Sequence, residues 1–164
     1  MKKTHAIVAK VGVLIEHRNK LLLIKEKSWQ DTEHRWNFVK GTVEPKLDRT
    51  LMAAAKREAR EEANARIRIT HVLNVLSLYK HNTLFIQCNF IARLVGSHFG
   101  VSPLKEQKRY RPDEEIIDAA LFTKQQLYKM KRSEFISERT YQSIQDWLAG
   151  KRYPLSLIKT LTKF

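Results

Sequence analysis

The sequence predicts a single mixed α/β domain, because strand-like apolar segments alternate with two or three helix-like segments along the chain. Its 164 residues suit one domain, and 43% of them are hydrophobic, as a globular core requires. We expect residues 1–164 to form this one domain, with a core at about 5–148 and a basic tail at 149–164.

Apolar residues in short or alternating runs mark the predicted strands. Residues 84–95 alternate best: Cys88 falls on the apolar face, whereas Gln87, Asn89 and Arg93 fall on the other. Cys88 is therefore expected in the core. Strands are also predicted at 6–15 and 20–25, which form a hairpin, and at 36–41, which runs into a glycine turn. Two more are predicted at 66–78, which contains a break, and at 115–122. Residues 26–35 are expected to be loop.

Capping signals mark the predicted helices. Asp48 is a plausible N-cap for an alanine-rich helix, and Asn64 stands where that helix ends, since asparagine tolerates the left-handed conformation. Thr123 and Gln126 form a capping-box pattern for a short helix. Ser133 is expected to cap a last helix, whose apolar face carries Tyr141, Ile144 and Leu148.

The strongly basic composition points to an anionic partner. Thirty-one Lys and Arg residues against 17 Asp and Glu residues give a net charge of +14. The excess is spread along the chain, which favours a small phosphate-bearing substrate over a polymer, with RNA as the alternative partner. No apolar run is long enough to span a membrane, and no secretion signal is evident, so a cytoplasmic protein is expected.

Two kinds of site are excluded by residue counts and spacing. The single cysteine allows neither an internal disulfide framework nor a cysteine-cluster zinc site. The six histidines include no pair at metal-binding spacing on one helix face, so no zinc site is proposed.

Three carboxylates share one face of the alanine-rich helix. Glu58, Glu61 and Glu62 stand at positions i, i+3 and i+4, so they repel one another, and they lie toward the helix C-terminus, which disfavours anions. An offsetting cation is therefore expected. It is either a neighbouring arginine, Arg57 or Arg60, or a hard divalent metal ion that prefers clustered oxygen ligands.

The segment before the helix favours the metal ion. Gly41 lets the backbone approach a ligand closely, Glu44 adds a carboxylate, and Lys40 adds a cation suited to phosphate. With this segment the chain resembles the Nudix hydrolases. Their box reads Gly, five residues, Glu, seven residues, Arg-Glu, an apolar residue, any residue, Glu-Glu, any residue, Gly and an apolar residue. The second half matches at Arg57, Glu58, Ala59, Glu61, Glu62 and Ala65, and the family-like flanks are Trp36-Asn37-Phe38, Ala54-Ala55 and Glu115-Ile116.

The box departs from the family pattern at three places. Seven residues, instead of five, separate Gly41 from the first glutamate position. That position is occupied by Arg49, and Asn64 replaces the terminal glycine. In the family this glutamate braces the arginine of the box. Here Arg49 and Arg57 would repel unless Asp48 or Glu44 took over that role.

The resemblance implies an α/β/α sandwich with a mixed sheet and a hydrolase that cleaves a nucleoside diphosphate derivative with Mg²⁺ or Mn²⁺. It implies that the metal ion is bound by Glu58, Glu61, Glu62 and Gly41, and that Arg57 belongs to the catalytic residues. One carboxylate must also accept a proton: Glu61, Glu62 or an acid of 113–115. Of the acids at 113–115 we choose Glu115, which we call the late carboxylate. The alternative is that Glu115 is an exposed charge in a loop.

Contacts with the substrate are expected from cations and polar strand residues. Lys40 would meet a phosphate, while Gln87 and Arg93 would line the site unless their strand face is simply solvated. Three functions are open: a small-nucleotide pyrophosphohydrolase, an RNA 5′-pyrophosphohydrolase, and a non-catalytic Nudix-like binding domain. The assembly is expected to be a monomer or a homodimer.

Overall fold

The computed structural model describes residues 6–28, 31–103, 105–107 and 112–161. Within them a seven-stranded mixed sheet forms the centre of the molecule. Its strands are β1 (Ala6–His17), β2 (Lys20–Ser28), β3 (Arg35–Asn37), β4 (Val39–Thr42), β5 (Ile67–Lys80), β6 (Thr83–Leu94) and β7 (Glu114–Thr123). The helices are α1 (Leu51–Ala63), α2 (Lys124–Lys129) and α3 (Glu138–Leu148), with single 3₁₀ turns at Arg132–Glu134 and Leu155–Leu157.

The sheet is mixed because β1 lies parallel to β6, whereas its other strand pairs are antiparallel. The strand order is β3-β2-β1-β6-β5, with β4 paired to β1 and β7 paired to β2. Along its length β1 changes neighbour: Lys10–Val13 pair with β4, and Ile15–His17 pair with β2. The C-terminal part of β2 therefore diverges from β1. We call the gap between these two strands the fork of the sheet; it lies beside α1.

Two hydrophobic clusters cover the two faces of the sheet. On one face the alanines of α1 pack against Val11, Val13 and Ile24. On the other face Ile144 and Trp147 of α3 pack against Leu14, Leu21 and Ile91. This arrangement confirms the predicted α/β class and its three layers, since each helix buries its apolar stripe against one face of the sheet.

The ends of the helices correct two of the predicted caps. Thr50, and not Asp48, caps α1, because its Oγ1 accepts a 2.9 Å hydrogen bond from the Ala53 amide. Asn64 ends α1 in the left-handed conformation with φ of 45°, as predicted. The capping box of Thr123 and Gln126 is present at α2. Ser137 caps α3, whereas Ser133 lies in the preceding 3₁₀ turn.

The strands agree with the sequence in kind and differ in length. β2 continues to Ser28 through residues expected to be loop, because β7 and β3 pair with both of its edges there. The predicted break in β5 appears as register shifts between Ile69 and His71 and between Val72 and Asn74. Cys88 is buried as expected, and its burial raises the pKa of the thiol to about 11.

The segment after α3 returns to the sheet. Tyr153 exchanges two backbone hydrogen bonds of 2.9 Å with Val72 of β5, and Leu155 and Ile158 pack against the α1-side cluster. No helix in the described part of the chain has the length and apolar character needed to cross a bilayer.

Candidate active site: a carboxylate cluster at the fork of the sheet

The close packing of β4 on α1 explains Gly41. Gly41 lies within β4, opposite Val11 of β1, and has no positive φ. A Cβ atom at this position would lie 1.9 Å from the carboxyl carbon of Glu58, so any side chain would displace that carboxylate. The sequence predicted that this glycine admits a ligand; within the chain, the group that its missing side chain admits is the Glu58 carboxylate.

The three carboxylates of α1 lie together beside β4. Glu58 and Glu62 are almost fully buried, 2% and 1% exposed, whereas Glu61 lies at the edge of a cavity. The backbone N–H of Lys40 donates a 2.8 Å hydrogen bond to Glu62 Oε2, which ties the end of α1 to β4. Local helix geometry brings the three acids to one face, and the packing of β4 then encloses two of them.

Arg57 holds the loop and the helix together. Its Nε donates to Asp48 Oδ1 at 3.0 Å, and its Nη2 donates to Asp48 Oδ2 at 2.8 Å and to the Thr42 carbonyl at 3.0 Å. Nη1 lies 2.9 Å from Glu58 Oε1 and 3.1 Å from Glu61 Oε2. Arg57 thus acts as a positioning residue within this structure, and its guanidinium is shared between the loop and the acids.

Asp48 supplies the brace that Arg49 cannot supply. The hydrogen bonds from Arg57 hold the pKa of Asp48 below its usual value, and those with Asp48 in turn raise the pKa of Arg57. Asp48 also accepts a 2.8 Å hydrogen bond from the Glu44 amide. The Glu44 carboxylate is more distant from Arg57, at 3.9 Å, and Arg49 is exposed to solvent. Of the two alternatives left open by the sequence, Asp48 is the brace.

Two further carboxylates join the cluster from β2 and β7. Oxygen atoms of Glu26, Glu62 and Glu114 lie within 4.8 Å of one another. Glu26 is 2% exposed; its Oε1 accepts hydrogen bonds from Asn37 Nδ2 at 2.7 Å and from Lys40 Nζ at 3.1 Å. Its Oε2 is buried, and no hydrogen-bond donor in the described residues reaches it. A buried carboxylate oxygen of this kind fits a cationic ligand.

Glu26 was missed from the sequence because it was assigned to a loop. The available signal was a glutamate directly after the apolar run of β2, but only the tertiary fold places it beside α1. A register shift in the β2–β7 ladder between Lys25 and Glu26 accompanies its inward position.

Of the two neighbouring acids of β7, Glu114 and not Glu115 lies in the carboxylate cluster. Glu114 joins Glu26 and Glu62, whereas Glu115 contacts His34 at 3.5 Å and Lys27 at 4.0 Å. The physical reason is strand alternation: successive side chains of β7 point in opposite directions, so only one of the two acids can face the cluster. Glu115 therefore lies outside the cluster, beside Lys27 and His34.

Lys40 stands among the carboxylates. Burial by itself would lower the pKa of its ammonium group, but the negative charges of Glu26, Glu62 and Glu114 outweigh this effect and raise the pKa. Lys40 is therefore a cation at neutral pH. It lines, with Gly41, Glu58 and Glu114, a cavity of about 210 Å³.

The structure does not bring Gln87 and Arg93 to this cluster. Gln87 is buried, and its Nε2 donates to Asn89 Oδ1 at 2.8 Å. Asn89 in turn donates to Asn74 and to Ser143 of α3. Gln87 and Asn89 thus belong to a buried hydrogen-bond network that lies apart from the carboxylate cluster. Arg93 is exposed and lines a different cavity.

A second cavity adjoins the first. It has a volume of about 370 Å³ and is lined in part by Arg57 and Glu61, which also line the first cavity. Gln107 closes it on one side. The Gln107 amide donates to the Ile116 carbonyl at 2.9 Å and accepts from the Ile116 N–H at 2.9 Å, so it pairs with β7 as a strand would.

Comparison with known proteins identifies the same architecture elsewhere. The model of the NUDIX domain family matches residues 6–144. A NUDIX hydrolase from Nitrosomonas europaea superposes with a TM-score of 0.73 at 23% identity, over 94% of this chain and 97% of that chain. A MutT NUDIX hydrolase from Burkholderia pseudomallei gives 0.64 at 18% identity, over 85% and 97%.

A more distant similarity is to a structure described as a UDP-X diphosphatase, with a TM-score of 0.62 at 17% identity, over 93% of this chain and 68% of that chain. No curated protein sequence matches the chain. At these identities the solved structures establish the fold. The Nudix-like form of the predicted α/β/α sandwich is confirmed.

Proposed function

Because this chain belongs to the NUDIX family, we propose that it hydrolyses the phosphoric anhydride linkage of a nucleoside diphosphate derivative with the aid of Mg²⁺ or Mn²⁺. One observation carries the proposal. Five carboxylates from three elements converge beside Lys40 and Arg57 at the fork of the sheet; they are Glu26, Glu58, Glu61, Glu62 and Glu114. Such a convergence of acids is unfavourable unless cations offset it.

The donor set fits a hard divalent cation. Carboxylate oxygens are the ligands that Mg²⁺ and Mn²⁺ prefer, and the buried Glu26 Oε2 lies in the cluster without a hydrogen bond from the described residues. We propose Glu58, Glu61, Glu62 and the Gly41 carbonyl as ligands, with Glu26 and Glu114 as additions. When bound, the metal would neutralise phosphoryl charge and lower the pKa of an attacking water.

The other residues bind, position and accept protons. Lys40 would bind a phosphate oxygen of the substrate, because it lines the first cavity beside the carboxylates. Arg57 would keep Glu58 and Glu61 in place through Asp48. We propose Glu114, in place of Glu115, as the late carboxylate, and it joins Glu61 and Glu62 as the candidates for the proton acceptor.

The two adjoining cavities suit a substrate with two parts. The first offers Lys40 and the carboxylates to a metal-bound diphosphate, and the second can take the attached group. The similarity to a structure described as a UDP-X diphosphatase supports testing nucleoside diphosphates of this general form. We further propose a cytoplasmic enzyme that is a monomer or a homodimer.

The net charge of +14 favours one second candidate, an RNA 5′-pyrophosphohydrolase. The non-catalytic alternative loses its main support, because Asp48 performs the bracing that Arg49 left in doubt.

A substrate panel with matched variants tests the proposal. The purified protein is incubated with Mg²⁺ or Mn²⁺ and UDP-linked, ADP-linked and dinucleoside polyphosphate substrates, and separately with 5′-triphosphate RNA. Nucleotide or phosphate release is measured. We expect turnover of at least one substrate, abolished by EDTA and reduced about 100-fold or more in Glu62→Gln. The control Glu33→Gln, an exposed acid outside the cluster, should retain activity.

Absence of turnover with the whole panel, or full activity of Glu61→Gln and Glu62→Gln, would contradict the proposal. Release from RNA alone would select the second candidate.

A further inference from the structure

A third cavity, of about 820 Å³, lies at the other end of β1 from the carboxylate cluster. Its lining includes Glu16, Arg18, Arg93, Lys124, Trp147 and Arg152. Glu16 lies five residues along β1 from Val11, the partner of Gly41, so about 16 Å of strand separates these two residues. The volume is in the range of cavities that hold small-molecule ligands.

Basic residues meet across neighbouring strands beside this cavity, whose described lining includes Arg93 and not Arg68. Arg93 of β6 stands directly opposite Arg68 of β5 on one side and opposite Glu16 of β1 on the other. Directly opposed residues point to the same face of a sheet, so the side chains of Arg68 and Arg93 extend from the same face. Like charges in such a cross-strand pair destabilise the sheet. An anionic ligand would remove that repulsion.

The nearby acid is already engaged and cannot neutralise this pair. Glu16 Oε1 accepts a 2.8 Å hydrogen bond from the indole Nε1 of Trp147, and Arg152 binds both oxygens of Glu16. Trp147 is 2% exposed, so its indole fixes the orientation of the carboxylate. The remaining arginines of the region, Arg18, Arg68 and Arg93, form no ion pair within the part of the chain that the structure describes.

Two further groups add to the positive, donor-rich character of the cavity. The ammonium group of Lys124 lies 5.3 Å from the centroid of the Trp147 ring, which holds this cation at the wall. His71 also lines the cavity, and its Nδ1 is buried with no hydrogen-bond partner among the described residues. A buried polar atom of this kind is explained by a bound ligand or water.

We propose that this cavity is a second anion site that binds linked phosphate groups without a metal ion. Guanidinium groups match phosphate oxygens with paired hydrogen bonds, and several cations spaced along a wall suit more than one phosphate. Because Glu16 is committed to Trp147 and Arg152, the described lining offers no available carboxylate for a cation. The phosphates would come from a free polyphosphate chain, as in a nucleotide, or from the backbone of a nucleic acid.

Binding measured without divalent ions tests the proposal independently of hydrolysis. Two probes are titrated in EDTA: inorganic tripolyphosphate by calorimetry, and a labelled single-stranded RNA with a 5′-hydroxyl by fluorescence anisotropy. The test variant is Arg68→Gln/Arg93→Gln. The control is Lys56→Gln/Arg132→Gln, which removes the same charge from exposed residues outside this cavity. Circular dichroism confirms that both variants fold.

We expect at least one probe to bind, and to bind about tenfold or more weakly to the test variant than to the control. Preference for tripolyphosphate identifies a free phosphate chain, and preference for RNA, with a reduced salt dependence in the test variant, identifies a nucleic-acid backbone. Equal weakening in both variants, or no binding of either probe, overturns the proposal. Binding that persists in Glu61→Gln separates this site from the carboxylate cluster.

Discussion

At the residue scale, Asp48 shows how neighbouring positions exchange roles. The family pattern places an acid at the position of Arg49, but the longer loop turns Arg49 to solvent and Asp48 toward Arg57. The bidentate bond depends on the planar guanidinium and on two carboxylate oxygens in the same plane. The length of the loop thus decides that Asp48, and not the residue at the motif position, braces Arg57.

The first prediction concerns this pair. Replacing Asp48 by Ala should lower the free energy of unfolding by about 2–3 kcal/mol, because it leaves a partly buried guanidinium without its main partner. Urea denaturation followed by circular dichroism measures the change. Arg49→Ala is the matched control and should change stability by no more than about 0.5 kcal/mol, since Arg49 is exposed. Equal effects of the two substitutions would refute the assignment of the brace to Asp48.

The second prediction separates the adjacent acids of β7. Glu114→Gln should reduce kcat about 100-fold and weaken Mn²⁺ binding, because Glu114 lies in the carboxylate cluster. Glu115→Gln should leave both quantities within about twofold, because Glu115 faces Lys27 and His34. Steady-state kinetics and Mn²⁺ titration provide the two readouts. A larger loss of kcat in Glu115→Gln than in Glu114→Gln would support Glu115 as the late carboxylate.

At the scale of the element, α1 acts as the common support of the site. Its alanine face packs on the sheet while its acidic face meets β4, so the same helix joins the core to the cluster. Its C-terminus is closed by Asn64, whose backbone N–H reaches the carbonyls of Ala59 and Arg60 in the left-handed conformation. Fraying at this end would disturb Glu61 and Glu62, which lie in the last turn.

The third prediction follows from that cap. Asn64→Ala should destabilise the protein by about 1 kcal/mol, because a Cβ without a local polar group disfavours the left-handed conformation. Asn64→Gly should be neutral or slightly stabilising, since glycine accepts that conformation freely. Chemical denaturation of the two variants provides the comparison. Similar losses for both would mean that the side-chain bond from Asn64 to His98, at 3.1 Å, matters more than the backbone.

At the scale of the whole molecule, buried carboxylates make stability depend on pH. Burial by itself would raise the pKa of Asp146 on α3, but hydrogen bonds from Lys151, Asn74 and Gln142 outweigh burial and lower it. Arg57 likewise lowers the pKa of Asp48. Both acids are thus more acidic in the folded protein than their ordinary value of 3.8.

The fourth prediction is acid sensitivity with a definite sign. A carboxylate whose pKa is lowered by folding stabilises the native state above its unfolded pKa, and this stabilisation is lost as pH falls. The free energy of unfolding should therefore decrease from about pH 4 downward. Urea unfolding between pH 6 and pH 2.5 measures it. Asp146→Asn should start less stable and show a shallower decline; an unchanged slope would contradict the role of Asp146.

The local sequence is sufficient to predict many of the elements of this protein and part of its carboxylate cluster. The periodicities of β1, β6 and α1, the left-handed end at Asn64 and the stripe of Glu58, Glu61 and Glu62 depend on neighbours within a few residues, which is why they were predicted. Sequence also indicated Lys40 and Gly41 beside that stripe, because the motif joins them through one short loop.

Contacts between distant elements required the tertiary structure. Glu26 enters the cluster through the pairing of β2 with β7, and side-chain alternation along β7 brings Glu114 rather than Glu115 to it. Asn89, the partner of Gln87, contacts Ser143 of α3. Arg93 meets Arg68 and Glu16 only because β6 lies between β5 and β1. A residue's chemistry is set by its identity, whereas its neighbours are set by strand register and packing, which act over separations that local patterns do not encode.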